Sequence, residues 1–298
     1  MLRSMYSGIS GMKANQTRMD VVGNNVANVG TTAFKKSSVR FSDTLSQMVI
    51  YASKPGGNMG GVNPGQVGLG VNVAAISKNM LQGSLQRTGI SSDLAIDGEG
   101  FFVIQIGKQT EGADDGVIAE AYTRDGAFNV DENGMLVTAE GNYVVGVDEK
   151  PIEIFREIDD KRVISYNISK EGRISYVLED GSKVEEVPVR GEDGQLTEEK
   201  TKQALKIATF NNPNGLESQG GNLYIVSSNS GEPIYNNADG VEELRQFGSV
   251  IQGALEMSNV DLSEEFTEMI VTTRAFQASS KVITTSDELL QEIINLKR

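Results

Sequence analysis

The chain has 298 residues and contains neither Cys nor His, which excludes disulfides, thiolate metal sites, His-ligated metals and nucleophile–His relays. Its formal charge of −14 argues against general binding to nucleic acids or anionic membranes, which favour basic surfaces. The 38% hydrophobic content supports a folded core, and the length suggests about two domains. We therefore expect a protein that is not an enzyme and needs no cofactor or metal.

The N-terminal segment has apolar side chains at alternating steps of three and four residues, which places them along one stripe of a helix. We predict a helix from about Leu2 to Asn28, ended by Asn28-Val29-Gly30 because Asn and Gly tolerate the left-handed conformation. The apolar members of the stripe are Leu2, Met5, Ile9, Met12, Met19 and Val26.

Residues 31–75 show little periodicity, and the segment 54–70 holds seven glycines and two prolines. We predict an irregular Gly-rich linker over 31–75. The run 65–70 superficially resembles a phosphate-binding loop, but no Lys-Ser/Thr pair follows it. A linker is the better interpretation.

An all-β outer domain is predicted over 76–254, because short apolar runs alternate with Asp-Gly, Glu-Gly and Asn-Gly pairs typical of hairpin turns. The polar segment 190–204 is predicted to be an exposed excursion within it. Residues 129–140 have the spacing of a calcium-binding loop. However, Asn129 occupies the first position and the flanks resemble strands, so a hairpin turn is favoured and weak calcium binding stays an alternative.

The C-terminal segment 255–298 repeats the helical spacing, and Ser258 or Asn259 is placed to cap a helix beginning near Leu262. This segment has eight acidic and four basic residues, whereas residues 1–40 have six basic residues and one acidic. The two terminal helices are therefore expected to pair as a coiled-coil domain, giving a mixed α and β fold with the β domain inserted between them. The second stripe consists of Leu262, Phe266, Met269, Phe276, Ile283 and Leu290.

Both ends of the chain resemble one protein family. The start carries Asn24-Asn25-Val26-Ala27-Asn28 and Phe34-Lys35, and the end carries Leu255-Glu256-Met257-Ser258-Asn259 and Thr273-Arg274-Ala275-Phe276-Gln277. Interior agreement includes Tyr122-Thr123-Arg124-Asp125-Gly126. These motifs are similar to those of the flagellar axial proteins, the rod and hook family.

The resemblance implies terminal helices that line a central channel, with the β domain outside. It implies export in the unfolded state by the flagellar export apparatus, without a cleaved signal peptide, to an extracellular position in the flagellum. The expected partner is the chain itself as a helical homopolymer, with distal rod, hook cap and hook–filament junction proteins as neighbours. Nucleic acid and membrane are not expected partners.

Within the family, Val260-Asp261-Leu262-Ser263 resembles the hook protein more than the distal rod protein. The length, somewhat long for a distal rod protein and short for hook proteins with extra outer domains, suits a compact hook protein of the Gram-positive type, a flexible joint that transmits torque from rod to filament. A distal rod protein is the alternative within the same class. An extracellular calcium- or ligand-binding β module is the alternative from another class.

Overall fold

The computed structural model shows a helix at each end of the chain and a β-rich middle, as predicted. It divides into two compact units, one formed by residues 1–29, 36–79 and 260–298 and the other by 30–35 and 80–259. In the part of the chain that is described, no helix is long and apolar enough to cross a membrane. The structure describes residues 2–55, 60–106, 119–158, 161–190, 196–236 and 247–296.

The first unit contains the two predicted helices, α1 (Leu2–Ala27) and α2 (Leu262–Leu296). The N-cap of α2 is Asp261, not Ser258 or Asn259, because its Oδ1 accepts the amide of Ser263 at 2.8 Å. A carboxylate directly before the first helical residue reaches this free amide, whereas side chains two or three residues earlier do not.

The first unit also contains strands where the sequence predicts an irregular linker. These are β1 (Ser37–Asp43), β2 (Ser46–Ile50), β3 (Gly65–Gly68) and β4 (Val71–Lys78). Strand β1 pairs antiparallel with β4, and β2 pairs antiparallel with β3. The high glycine and proline content led us to predict a linker. The strands could not be predicted from local sequence, because each depends on a partner far along the chain. Part of the predicted linker, residues 56–59, lies outside the described residues.

The second unit is rich in β-strands, and its paired strands run antiparallel, as hairpin turns require. Its strands are β5 (Leu85–Arg87), β6 (Leu94–Asp97), β7 (Phe101–Ile106), β8 (Ala119–Thr123), β9 (Asn129–Val130), β10 (Leu136–Val137), β11 (Tyr143–Val144), β12 (Glu157–Ile158), β13 (Lys161–Ile168), β14 (Ile174–Leu178), β15 (Lys183–Val184), β16 (Glu186–Arg190), β17 (Leu196–Lys202), β18 (Ile207–Thr209), β19 (Glu217–Gly220), β20 (Leu223–Ile225), β21 (Ile234–Tyr235), β22 (Ser249–Gln252) and β23 (Ala254–Glu256).

Among the described strands, the largest sheet has the order β19-β20-β8-β7-β11-β10-β9, with β18 beside β7 and β21 beside β18. A second sheet has the order β12-β13-β14-β15. Their side chains share a core that includes Phe102, Phe128 and Tyr176, and the rings of Phe102 and Phe128 lie edge to face at 5.3 Å.

Hairpins are found where the sequence allowed a calcium-binding loop, at 129–140, and at the predicted exposed excursion, 190–204. Strands β9 and β10 flank a turn in which Gly134 donates its amide to the carbonyl of Asp131 at 2.9 Å, with Gly134 at φ +84°. Within the described residues, no group of three or more acidic side chains is placed to hold a metal ion. The predicted excursion 190–204 includes the end of the β16–β17 hairpin, while residues 191–195 lie outside the described part.

A polar cluster joins strands β8 and β21 and the residue before β18. The Glu120 carboxylate accepts hydrogen bonds from Tyr235 at 2.6 Å and from Lys206 at 3.0 Å, and Tyr122 lies 3.0 Å from the Tyr235 hydroxyl. Burial would raise the pKa of Glu120, but the hydrogen bonds from Tyr235 and Lys206 outweigh it and lower that pKa. Burial raises the pKa of Tyr122 to about 12.

Acid is expected to weaken this cluster. Because the folded pKa of Glu120 is below its ordinary value of 4.5, its contribution to stability is present above that pH and is lost as the pH falls through the lowered pKa. Glu120→Gln should reduce the free energy of unfolding at pH 7, and the difference from the natural protein should shrink as the pH falls below 4.5. Urea unfolding across this range measures it, with exposed Glu217→Gln as the control. A pH-independent difference would contradict the assignment.

Candidate assembly surface

The two terminal helices meet within the first unit along a seam of small residues. A Cβ added at Gly8 would lie 3.1 Å from Ile283 Cγ1 and 3.3 Å from the carbonyl oxygen of Ser279. One added at Gly11 would lie 3.0 Å from Ser279 Oγ. One turn further towards the start of α1, Ser4 Oγ lies 3.3 Å from Ser286 Oγ. Glycine therefore lets the backbones of α1 and α2 approach closely.

The seam on α2 follows a seven-residue spacing of its own. Glu265, Thr272 and Ser286 are buried, and Ser279 of the same series contacts Gly11. These positions differ from the predicted apolar stripe. The sequence does show this spacing, since small or polar residues stand at 265, 272, 279 and 286. We did not interpret it as the helix contact because we expected an apolar seam.

Asn25 holds the region after α1 in place. Its amide nitrogen donates to Glu265 Oε2 at 3.0 Å and to the carbonyl of Ser37 at 2.9 Å, while its Oδ1 accepts the amide of Ser37 at 3.0 Å. Asn25 is 1% exposed and Glu265 3% exposed, so these side chains form hydrogen bonds with each other in place of water. This contact explains physically why an Asn stands here in the Asn24–Asn28 motif.

The opposite charges of the two terminal regions meet inside this unit. Arg18 pairs with Glu268 at 3.2 Å, and Lys36 pairs with Glu264 at 2.7 Å. The hydrogen bond with Glu264 raises the pKa of Lys36. Exposed pairs of this kind contribute only about 0–1 kcal/mol each, so they orient the helices more than they stabilise them.

The predicted apolar stripes remain partly open to solvent. Leu2 begins α1, and its side chain falls outside the described part, while Ile9, Leu262 and Phe266 are exposed. Ile283 lies against Gly8. The remaining predicted residues are half-buried: Met5, Met12, Met19, Val26, Met269, Phe276 and Leu290. Their role in assembly stays a prediction.

Helix α2 presents further apolar side chains to solvent. Phe266 is 50% exposed, Ile270 64% and Val271 55%. Near the end of the helix, Leu289, Ile293 and Ile294 are also exposed. Contiguous apolar surface of this kind marks protein–protein contact sites.

The β2–β3 hairpin of the same unit is also apolar on its surface. Its pairing continues through a bridge between Ser53 and Val62, and Tyr51 beside it is 76% exposed. Unpaired hairpin edges offer free backbone groups to a neighbouring chain. The other exposed apolar residues here are Leu45, Met48, Val49, Ile50, Val62 and Val67.

Three family models match the chain. They are "Flagella basal body rod protein" over residues 5–35, "Flagellar hook protein FlgE/F/G D1 domain" over 95–176 and "Flagellar basal body rod FlgEFG protein C-terminal" over 251–296. The matches fall on both terminal helices and on the β region between them.

Whole-length relatives agree. The chain is 44% identical over 298 residues to the flagellar basal-body rod protein FlgG of Bacillus subtilis (strain 168), covering 100% of each chain. It is 36% identical over 300 residues to FlgG of Borreliella burgdorferi, and 30% identical over 455 residues to the flagellar hook protein FlgE of that organism, again with 100% of each chain covered. These relatives are structural proteins and not enzymes. The chain therefore belongs to the family of flagellar rod and hook proteins.

Proposed function

We propose that this chain is a subunit of the tubular axial structure of a bacterial flagellum and polymerises with copies of itself. The observation that supports this most directly is the apolar surface of α2 and of the β2–β3 hairpin, which the single chain leaves open to solvent. Identical head-to-tail contacts that do not close into a ring extend into an open helix. Such contacts would produce a tube.

In the proposed tube, α1 and α2 of neighbouring copies pack as a coiled-coil layer around the channel. The predicted stripes, including Met12, Met19, Phe266 and Phe276, provide apolar side chains for contacts between copies. Methionine suits this role because its flexible thioether side chain adapts to neighbours of different shape. The proposed position is the flagellar basal body or hook, reached through the flagellar export apparatus.

Between the distal rod protein and the hook protein, we favour the distal rod protein. The support is that relatives named as rod proteins align with this chain from end to end over 298 and 300 residues, whereas the hook relative needs 455. This end-to-end agreement with two relatives named as rod proteins supports the rod protein. The hook protein is the second candidate, favoured by the segment Val260-Asp261-Leu262-Ser263.

Electron microscopy of the concentrated protein tests both the proposed polymerisation and the choice between rod and hook protein. We expect tubes that form only above a critical concentration, straight for a rod protein and curved for a hook protein. Removing residues 2–28 or residues 262–296 should abolish them, because each deletion removes one helix of the layer. Tubes that form equally well without either helix would refute the proposed assembly.

A further inference from the structure

The second unit has a distinctive arrangement where the chain enters and leaves it. The unit comprises residues 30–35 and 80–259, so the chain passes into or out of it at residues 30, 35, 80 and 259. Three of its segments lie at these points: 30–35, the residues from 80 that lead into β5, and the residues from β23 to 259. They are far apart in sequence.

The carboxylate of Glu256 connects all three segments. Its Oε1 accepts a hydrogen bond from Lys35 Nζ at 2.5 Å and from the amide of Gly83 at 2.8 Å. Its Oε2 accepts one from Arg124 at 3.2 Å, and Arg124 in turn donates to the carbonyl of Gly98 at 2.6 Å. Glu256 therefore joins the segments to one another and to the body of the sheet.

Backbone contacts follow the same pattern. Ala33 donates its amide to the carbonyl of Glu256 at 2.8 Å. Lys35 Nζ and the side-chain amide of Asn259 both donate to the carbonyl of Leu81, at 2.9 and 3.0 Å. Each of the three segments therefore contacts the other two.

The three segments pack tightly against one another at this point. A Cβ at Gly83 would lie 2.0 Å from the carbonyl oxygen of Met257, so the two segments touch backbone to backbone. The side chains of Lys35 and Glu256 are both 0% exposed. Burial lowers the pKa of Lys35, although the negative charge of Glu256 acts in the opposite direction.

A buried ion pair is weak support for stability alone, because apolar residues of similar size often serve equally well. Its geometry does specify which groups meet, since a misplaced segment would leave a charge buried without a partner. Here two of the three charges, those of residues 35 and 256, lie near the points where the chain enters and leaves the unit, so the ion pair specifies how these segments meet.

We propose that Lys35, Glu256 and Arg124 form a clasp that closes the second unit where the chain enters and leaves it. The clasp holds the three segments as one bundle, so that a pull on either terminal segment is borne by all three. The inference concerns the folded chain itself and does not depend on the proposed polymer.

Hydrogen exchange of the full-length monomer, read residue by residue by NMR, tests the clasp. In Lys35→Met, the amides of Ala33, Gly83 and Met257 should exchange at least about tenfold faster, which corresponds to local opening. The amides of Val103 and Val145, which are bonded within the sheet, should keep their rates. The control is Lys36→Met, the neighbouring lysine that pairs with Glu264, and it should leave all five amides unchanged.

Two results would overturn the proposal. The amides of Ala33, Gly83 and Met257 could keep their natural rates in Lys35→Met, or all five amides could accelerate by the same factor, as in global destabilisation.

The direction in which a double substitution changes the Tm gives a second test. Glu256→Gln leaves two buried cations without a counter-charge, so its Tm should fall well below that of Lys35→Met, which leaves Arg124 paired with Glu256. Adding Lys35→Met to Glu256→Gln removes one of those cations and should raise the Tm again. If the two losses simply add, the three groups do not act as a clasp.

Discussion

Gly126→Ala is expected to unfold the second unit at denaturant concentrations that the natural protein tolerates. A Cβ at Gly126 would lie 1.7 Å from the carbonyl oxygen of Leu94 and 2.7 Å from its carbonyl carbon. The added Cβ clashes with backbone atoms, so the rotation of a side chain cannot relieve the clash. Leu94 is also 0% exposed, begins β6, and pairs through that strand with β22.

Overpacking of a core typically costs about 1–3 kcal/mol, and a clash with paired backbone belongs at or above the upper end of that range. We expect the free energy of unfolding to fall by at least about 3 kcal/mol. Urea unfolding measures this, and Gly30→Ala in the same unit is the control because its Cβ would meet nothing within 4 Å. Equal midpoints for the two variants would contradict the predicted clash.

Ile270→Asp is expected to prevent polymerisation while leaving the monomer folded. Ile270 is 64% exposed on α2, between the exposed Phe266 and Val271, so the single chain does not depend on it. In the proposed tube this surface is covered by another copy. An unpaired carboxylate removed from water costs several kcal/mol, and each 1.4 kcal/mol is a factor of ten in affinity.

The critical concentration should therefore rise by about a hundredfold or more, measured by sedimentation of polymer from a concentration series. The thermal unfolding midpoint of the monomer should stay close to that of the natural protein. Thr284→Asp, which places the same charge at an exposed polar position of α2 about four turns from Ile270, is the control. Normal tube formation by Ile270→Asp would show that this part of α2 faces solvent in the assembly.

Local sequence signals predicted the main elements of the fold. The two helices follow from apolar spacing, and the antiparallel β unit from its X-Gly turn pairs, because both signals lie within a few residues of the structure they specify. The turn at Asp131–Gly134 is the clearest example, since the same residues that resemble a calcium loop form a hairpin.

Features that depend on distant partners were not predicted. Strands β1 and β4 are separated by the Gly-rich segment and become strands only by pairing with each other. The contacts of Asn25 with Glu265 and of Lys35 with Glu256 join residues 240 and 221 positions apart. Composition shows the polar residues, but it does not show which of them are buried together.

The seam between α1 and α2 determines how folding and polymerisation are related. Gly8, Gly11, Ser279 and Glu265 make the contact within one molecule, whereas Phe266 and Ile270 face outward. The two processes therefore draw on different side chains and do not compete. In the proposed assembly, a molecule in which α1 and α2 have packed together therefore still exposes Phe266 and Ile270 for contact with another copy.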